Sequence, residues 1–138
     1  MADYQEISLK SEAKTLEKAF SLIAVEFSKT VYKGNLNNEI NKSIMFRSQN
    51  LKYLLYNYIN KLNELLLNEC FILSEVQDLS INMVNNDYML SSVVAGSKIK
   101  GNEIDVLVKE ISKNISVKED KDGCHIQINL LVEEKNEI

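Results

Sequence analysis

The 138-residue sequence contains no proline and no tryptophan, and only four glycines, two cysteines and one histidine. Arg47 is its only arginine. Without proline, the commonest boundary marker is missing, and element ends must be read from caps and turns. Lysine, asparagine and isoleucine are abundant instead, a pattern that reads as the codon bias of an AT-rich genome and lowers the information in each Asn or Lys. Cys70 and Cys124 lie far apart, with no nearby cysteine to complete a zinc knuckle or a redox pair. They read as reduced, buried thiols of a cytosolic protein.

The scarcity of arginine, with a formal net charge of −4, argues against a general nucleic-acid binder. Such a protein neutralises phosphates through a basic stripe, and guanidinium forks supply most bidentate recognition. No stretch approaches the ~20 apolar residues of a membrane span. The longest candidate, 51–67, is interrupted by Lys52, Asn57, Asn60, Lys61, Asn63 and Glu64. The opening MADYQEISLK lacks the apolar core of a signal peptide, so a cytoplasmic protein without a membrane partner is expected.

Catalytic signatures are equally scarce. There is no phosphate-binding glycine loop, nucleophile elbow or histidine pair for zinc. His125 has no obvious nucleophile beside it and is expected on the polar face of a strand, solvated or hydrogen-bonded. An independent hydrolase built on Glu6 and Glu133 would lack a paired nucleophile and base.

What is present is a regular pattern of secondary structure in a chain of one-domain length, 1–138. Residues 4–10 alternate, with Ile7 and Leu9 on one face and Glu6, Ser8 and Lys10 on the other, as in a half-buried strand. Thr15 suits an N-cap for a helix carrying Leu16, Ala19, Phe20, Ile23, Phe27 and Val31, and Gly34 is placed to end it as a left-handed cap. A strand over 40–47 follows. Asn50 can cap a second helix with Leu51, Leu54, Leu55, Tyr58, Leu62, Leu65 and Leu66 on its inner face. Beyond Glu69 the pattern changes to strands: FILSEVQDLSIN and YMLSSVVAG joined at Asn85-Asn86-Asp87, then HIQINLLVE after the Asp120–Gly123 turn. Residues 104–117 fit either a strand or a helical turn followed by a strand. The order β-α-β-α-β-β-β-β predicts an α+β two-layer sandwich, two helices packed on one mostly antiparallel sheet.

The terminal strands hold the one suggestive constellation. Glu6 lies opposite Ile7 and Leu9, and Glu133 lies opposite Ile126, Ile128 and Leu130. If the two strands are close, Glu6 and Glu133 converge on one side, with Asp3 at the strand entrance. Carboxylates so placed either bind a hard cation or raise each other's pKa, whereas isolated glutamates at a sheet edge are commonplace.

The order of these segments resembles the archease family, protein cofactors of the tRNA-splicing RNA ligase. EISLKSEAKTLEKAF is similar to the family's opening strand, turn and TLEEAF helix start, and QNLKYLLYNYINKLNELLLNECFILSEVQDLSI to its long helix and following strand. VKEISKNISV resembles the VKAVTYHxLxV stretch, one residue shorter, and GCHIQINLLVE its last strand. The resemblance implies a non-enzymatic accessory protein that docks transiently on the ligase and promotes the guanylylation and turnover that RNA sealing needs. It also implies a divalent metal, calcium in the first place, held by Asp3, Glu6 and Glu133, with Lys109 contributing positive charge to a phosphate. The family's His-Thr-Ala-Asp opening places Asp3 at its histidine and Glu6 at its aspartate, while Glu133 falls at the terminal aspartate and Lys113 replaces an aromatic or histidine. Each acid thus differs from the family's pattern. Calcium tolerates such altered geometry better than magnesium. The alternative is a structural or chaperone-like interaction module that keeps the fold with a degenerate metal site.

The acidic, arginine-poor composition generates the first prediction. Direct binding to tRNA fragments at physiological salt should be weak or absent; micromolar, salt-sensitive binding by fluorescence anisotropy would contradict it.

Overall fold

The computed structural model describes residues 4–134. Strand β1 (Tyr4–Ala13) leads into helix α1 (Leu16–Val31), strand β2 (Ile40–Ser48) and helix α2 (Leu51–Glu69). Strands β3 (Phe71–Val84), β4 (Asp87–Lys98), β5 (Val106–Ile111), β6 (Ser116–Asp120) and β7 (Gly123–Glu134) complete the order. A single 3₁₀ turn at Gly101–Glu103 precedes β5.

The expected α+β class holds, and every ladder is antiparallel. The strands divide between two sheets where one was expected. The first has the order β1-β7-β5, with β6 also on β7; the second has the order β2-β4-β3. Each helix touches both. α1 packs on β1, β7 and β5 of the first sheet and β3 of the second, and α2 reaches β2, β3 and β4 of the second and β5 and β6 of the first. Helices amphipathic over a wide arc can serve two sheets at once, which period-based reading does not distinguish from one.

The helix starts are as expected. Thr15 Oγ1 accepts from Lys18 N–H at 3.1 Å, and Asn50 Oδ1 accepts from Tyr53 N–H at 2.9 Å. The expected end of α1 is corrected: Gly34 does not cap it. The helix stops at Val31, and Tyr32 caps in an extended conformation (φ −147°), its N–H donating to Ser28 C=O. The left-handed cap belongs to α2, where Cys70 (φ 56°) donates its N–H to the Leu65 and Leu66 carbonyls. The β3–β4 turn has Asn85 and Asn86 both at positive φ, which the type I′ hairpin requires and asparagine tolerates. The ambiguous 104–117 segment resolves into β5, a break and β6.

The helices' inner faces and both sheets share one hydrophobic cluster. Phe20, Ile23, Leu54, Leu55 and Tyr58 are fully buried, joined by Leu62, Leu90, Ile128 and Leu130. Tyr58 also carries a buried polar chain. Ser92 Oγ donates to the Asp78 carbonyl at 2.9 Å, so the Tyr58 hydroxyl, 3.0 Å from Ser92, must be the donor of that pair. Asp78 follows a bulge in β3, where the ladder is interrupted, so this chain supports that carbonyl. Burial pushes the Tyr58 hydroxyl pKa up to about 12, only partly offset by the bond to Ser92.

Leu55 sits at 0% exposure in this cluster. Leu55→Ala should therefore cost about 2–5 kcal/mol in denaturant unfolding, and a loss below about 1 kcal/mol would show that this face is not core.

Candidate functional site

The site is built by β1 lying antiparallel on β7. Their register runs from Tyr4 opposite Glu133 to Ala13 opposite Cys124. Ile7 opposite Leu130 and Leu9 opposite Ile128 face the core, so the alternate residues form an outer face. On that face Glu6 lies opposite Leu131, and Glu133 is two residues further along β7. Glu6 and Glu133 are thus diagonal neighbours on one face, a relation that separates Cα atoms by about 7–8 Å.

β5 adds to this face from the other side of β7. Leu107 lies opposite Glu133, Glu110 lies opposite Leu131, and Lys109 between them is a bulge. The bulge turns Lys109 and Glu110 both outward, while Val108 and Ile111 stay buried. Lys109 Nζ lies 3.5 Å from Glu133 Oε2. Glu6, Glu110, Ser112, Asn129 and Leu131 line a shallow hollow of about 150 Å³ beside this pair.

The structure therefore brings together Glu6, Glu133 and Lys109, and adds Glu110. Asp3 lies outside the described residues. Among the described residues no three His, Cys, Asp or Glu side chains are close enough to hold a metal ion. The carboxylate oxygens are chemically suited to a hard cation, but two of them and a lysine do not complete a set of ligands. Glu110 escaped notice because strict alternation of Val-Lys-Glu-Ile turns it inward. The available signal was that Val108 and Ile111 are three residues apart, which an unbulged strand cannot bury together.

The remaining reactive groups lie elsewhere. His125 is eight residues from Glu133 along β7, about 27 Å at strand rise. Its Nδ1 is 2.9 Å from Glu12 Oε1 and its Nε2 is 3.7 Å from Asp120 Oδ2, so it is tied to flanking carboxylates rather than to a nucleophile. Burial pushes the Cys124 thiol pKa up, and neighbouring Glu119 adds to the shift, both against a reactive thiolate. Lys113 places its ammonium 5.7 Å from the Tyr56 ring centroid, away from the acids. Among the described residues no helix is long and apolar enough to cross a membrane.

Comparison with known proteins agrees with this architecture. The family model described as the Archease protein family matches residues 2–130. The solution structure of Methanobacterium thermoautotrophicum protein 1598 superposes with a TM-score of 0.68 at 16% identity, covering 96% of this chain and 97% of that one. At that identity the likeness establishes the fold. No curated protein is significantly similar to the chain in sequence.

The Lys109–Glu133 pair is 43% and 24% exposed, and so contributes little to stability. Lys109→Ala should change unfolding free energy by less than about 1 kcal/mol. A larger loss in thermal or urea unfolding would show that Lys109 holds the bulge in place rather than serving the face.

Proposed function

The chain belongs to the archease family, and from that membership we propose that it is a non-enzymatic accessory protein of a tRNA-splicing RNA ligase. In this reading it docks transiently on the ligase and promotes the guanylylation and turnover of that enzyme. The observation that carries the proposal is the meeting of Glu6, Glu133 and Lys109 on one uncovered sheet face. Among the described residues no nucleophile and base are paired on that face, which favours assistance to another active site over chemistry in this one. The acidic balance of the chain suits a partner whose RNA-binding surface is basic.

A divalent cation, calcium in the first place, is proposed to be held by Glu6 and Glu133 with Asp3. When bound, it would supply positive charge for a phosphate at the ligase. The chain's own contribution is the Lys109–Glu133 pair: Glu133 would be one of the cation's ligands, and the Lys109 ammonium, 3.5 Å from it, would offer positive charge to a phosphate. Lys109 is exposed at the bulge of β5, so its side chain can turn without disturbing the core.

A second reading has a specific observation in its favour. Each acid of the proposed set differs from the family's pattern, so the chain can instead be an interaction module that keeps the fold and has lost the metal site.

Calcium separates the two. A ligand that binds only the folded state stabilises it by roughly 2.7 kcal/mol at a hundredfold excess over Kd. Calcium should raise the melting temperature of the wild type, and Glu6→Gln with Glu133→Gln should abolish the rise. Unchanged melting of the wild type over millimolar calcium would leave the interaction module as the function.

A further inference from the structure

Sheet edges expose unpaired backbone groups, and natural proteins blunt them with bulges, brevity and charge. β3 carries two register shifts and β5 one. β1 has none. Its ten residues run in unbroken register on β7, its only strand partner among the described residues. No other backbone hydrogen bond reaches it there.

Two registers set unlike charges of β1 against a second copy of the same strand: an axis at Ser11 pairs Lys10 with the partner's Glu12 but overlaps only residues 9–13, whereas an axis at Ser8 overlaps residues 4–12. Two-fold antiparallel pairing sets residues that share a face opposite each other, so the axis must pass at a single residue. With the axis at Ser8, Glu6 faces the partner's Lys10 twice over on the outer face, and Ile7 faces the partner's Leu9 twice on the core side. Moving the axis to Leu9 sets Glu6 against the partner's Glu12. Moving it to Ile7 leaves Glu6 facing the partner's Ser8, with no ion pair. Of the other bulge-free edges, β6 is only five residues long, and β2 has only Lys42 and Arg47 as charges, so any self-pairing of β2 opposes like charges or none.

We infer that β1 is the seat of a symmetric dimer, two copies pairing antiparallel about Ser8 to join their first sheets into one continuous sheet with reciprocal Glu6–Lys10 pairs. The occupant is a second copy of this chain because the strand is self-complementary in both charge and apolar pattern. The inference does not depend on a bound cation. The backbone ladder provides the attraction, and the paired charges select the register.

Sedimentation across micromolar to submillimolar concentrations tests it by charge exchange. The wild type should associate to a dimer. Lys10→Glu opposes acid to acid at both pairs and should raise the dissociation constant at least about tenfold, as should Glu6→Lys. The combination Glu6→Lys with Lys10→Glu reverses both charges and should restore the dimer, while Lys42→Glu on β2 should leave it unaffected. Thermal unfolding of each variant confirms that it is folded. A wild type that stays monomeric overturns the inference. So does a folded double variant that fails to regain association, or a Lys42→Glu variant that loses it.

Discussion

The antiparallel seam between β1 and β7 is the constraint on which the rest of the molecule depends. It binds the start of the described chain to its end, from Tyr4 opposite Glu133 to Ala13 opposite Cys124. Side chains alternate across a strand, so a one-residue slip of β1 against Ile128 and Leu130 of β7 would expose Ile7 and Leu9 and turn Glu6 into the core. Burial of those leucines and isoleucines therefore fixes the register, and the register fixes the acidic face. At the far end of the seam Gly123 has φ +133°, and a Cβ there would strike the Ala13 carbonyl. Only glycine satisfies both the turn entering β7 and the close approach of β1.

From this seam the chemistry of the face follows by addition. β5 pairs on the other side of β7, and its bulge turns Lys109 and Glu110 outward together. The result is a polar surface with two diagonally placed glutamates, a lysine and a third acid beside a shallow hollow, while both helices lie against the opposite face. Such a surface is accessible to another macromolecule and has little enclosure for a small substrate, consistent with an accessory role. It also leaves β1 as an unblunted edge whose own charges decide what can pair with it.

The sequence made some of this legible and concealed the rest for physical reasons. Thr15 and Asn50 were readable as helix starts because a cap is a local interaction between a side chain and an N–H three residues on. The face on which Glu6 and Glu133 each lie was readable because alternation needs no knowledge of partners, whereas the pairing of β1 with β7 that brings them together is long-range. The end of α1 was misplaced at Gly34 because Tyr32 leaves the helix in an extended conformation, which any residue can adopt. The division into two sheets is a long-range property, set by which strands find each other across the helices, and no local period reports it. Glu110 was hidden by a bulge, which breaks the alternation used to assign faces.

The central claim is that this face acts on the ligase through Glu6, Glu133 and Lys109. Its most direct measurement is the formation of covalent ligase–guanylate by an RNA-splicing ligase from the same source, over repeated rounds of RNA sealing. The account predicts that the wild-type chain sustains turnover and that a folded Glu6→Gln, Glu133→Gln variant does not. Equal turnover with the wild type and that variant, or no effect of the wild type, would contradict it.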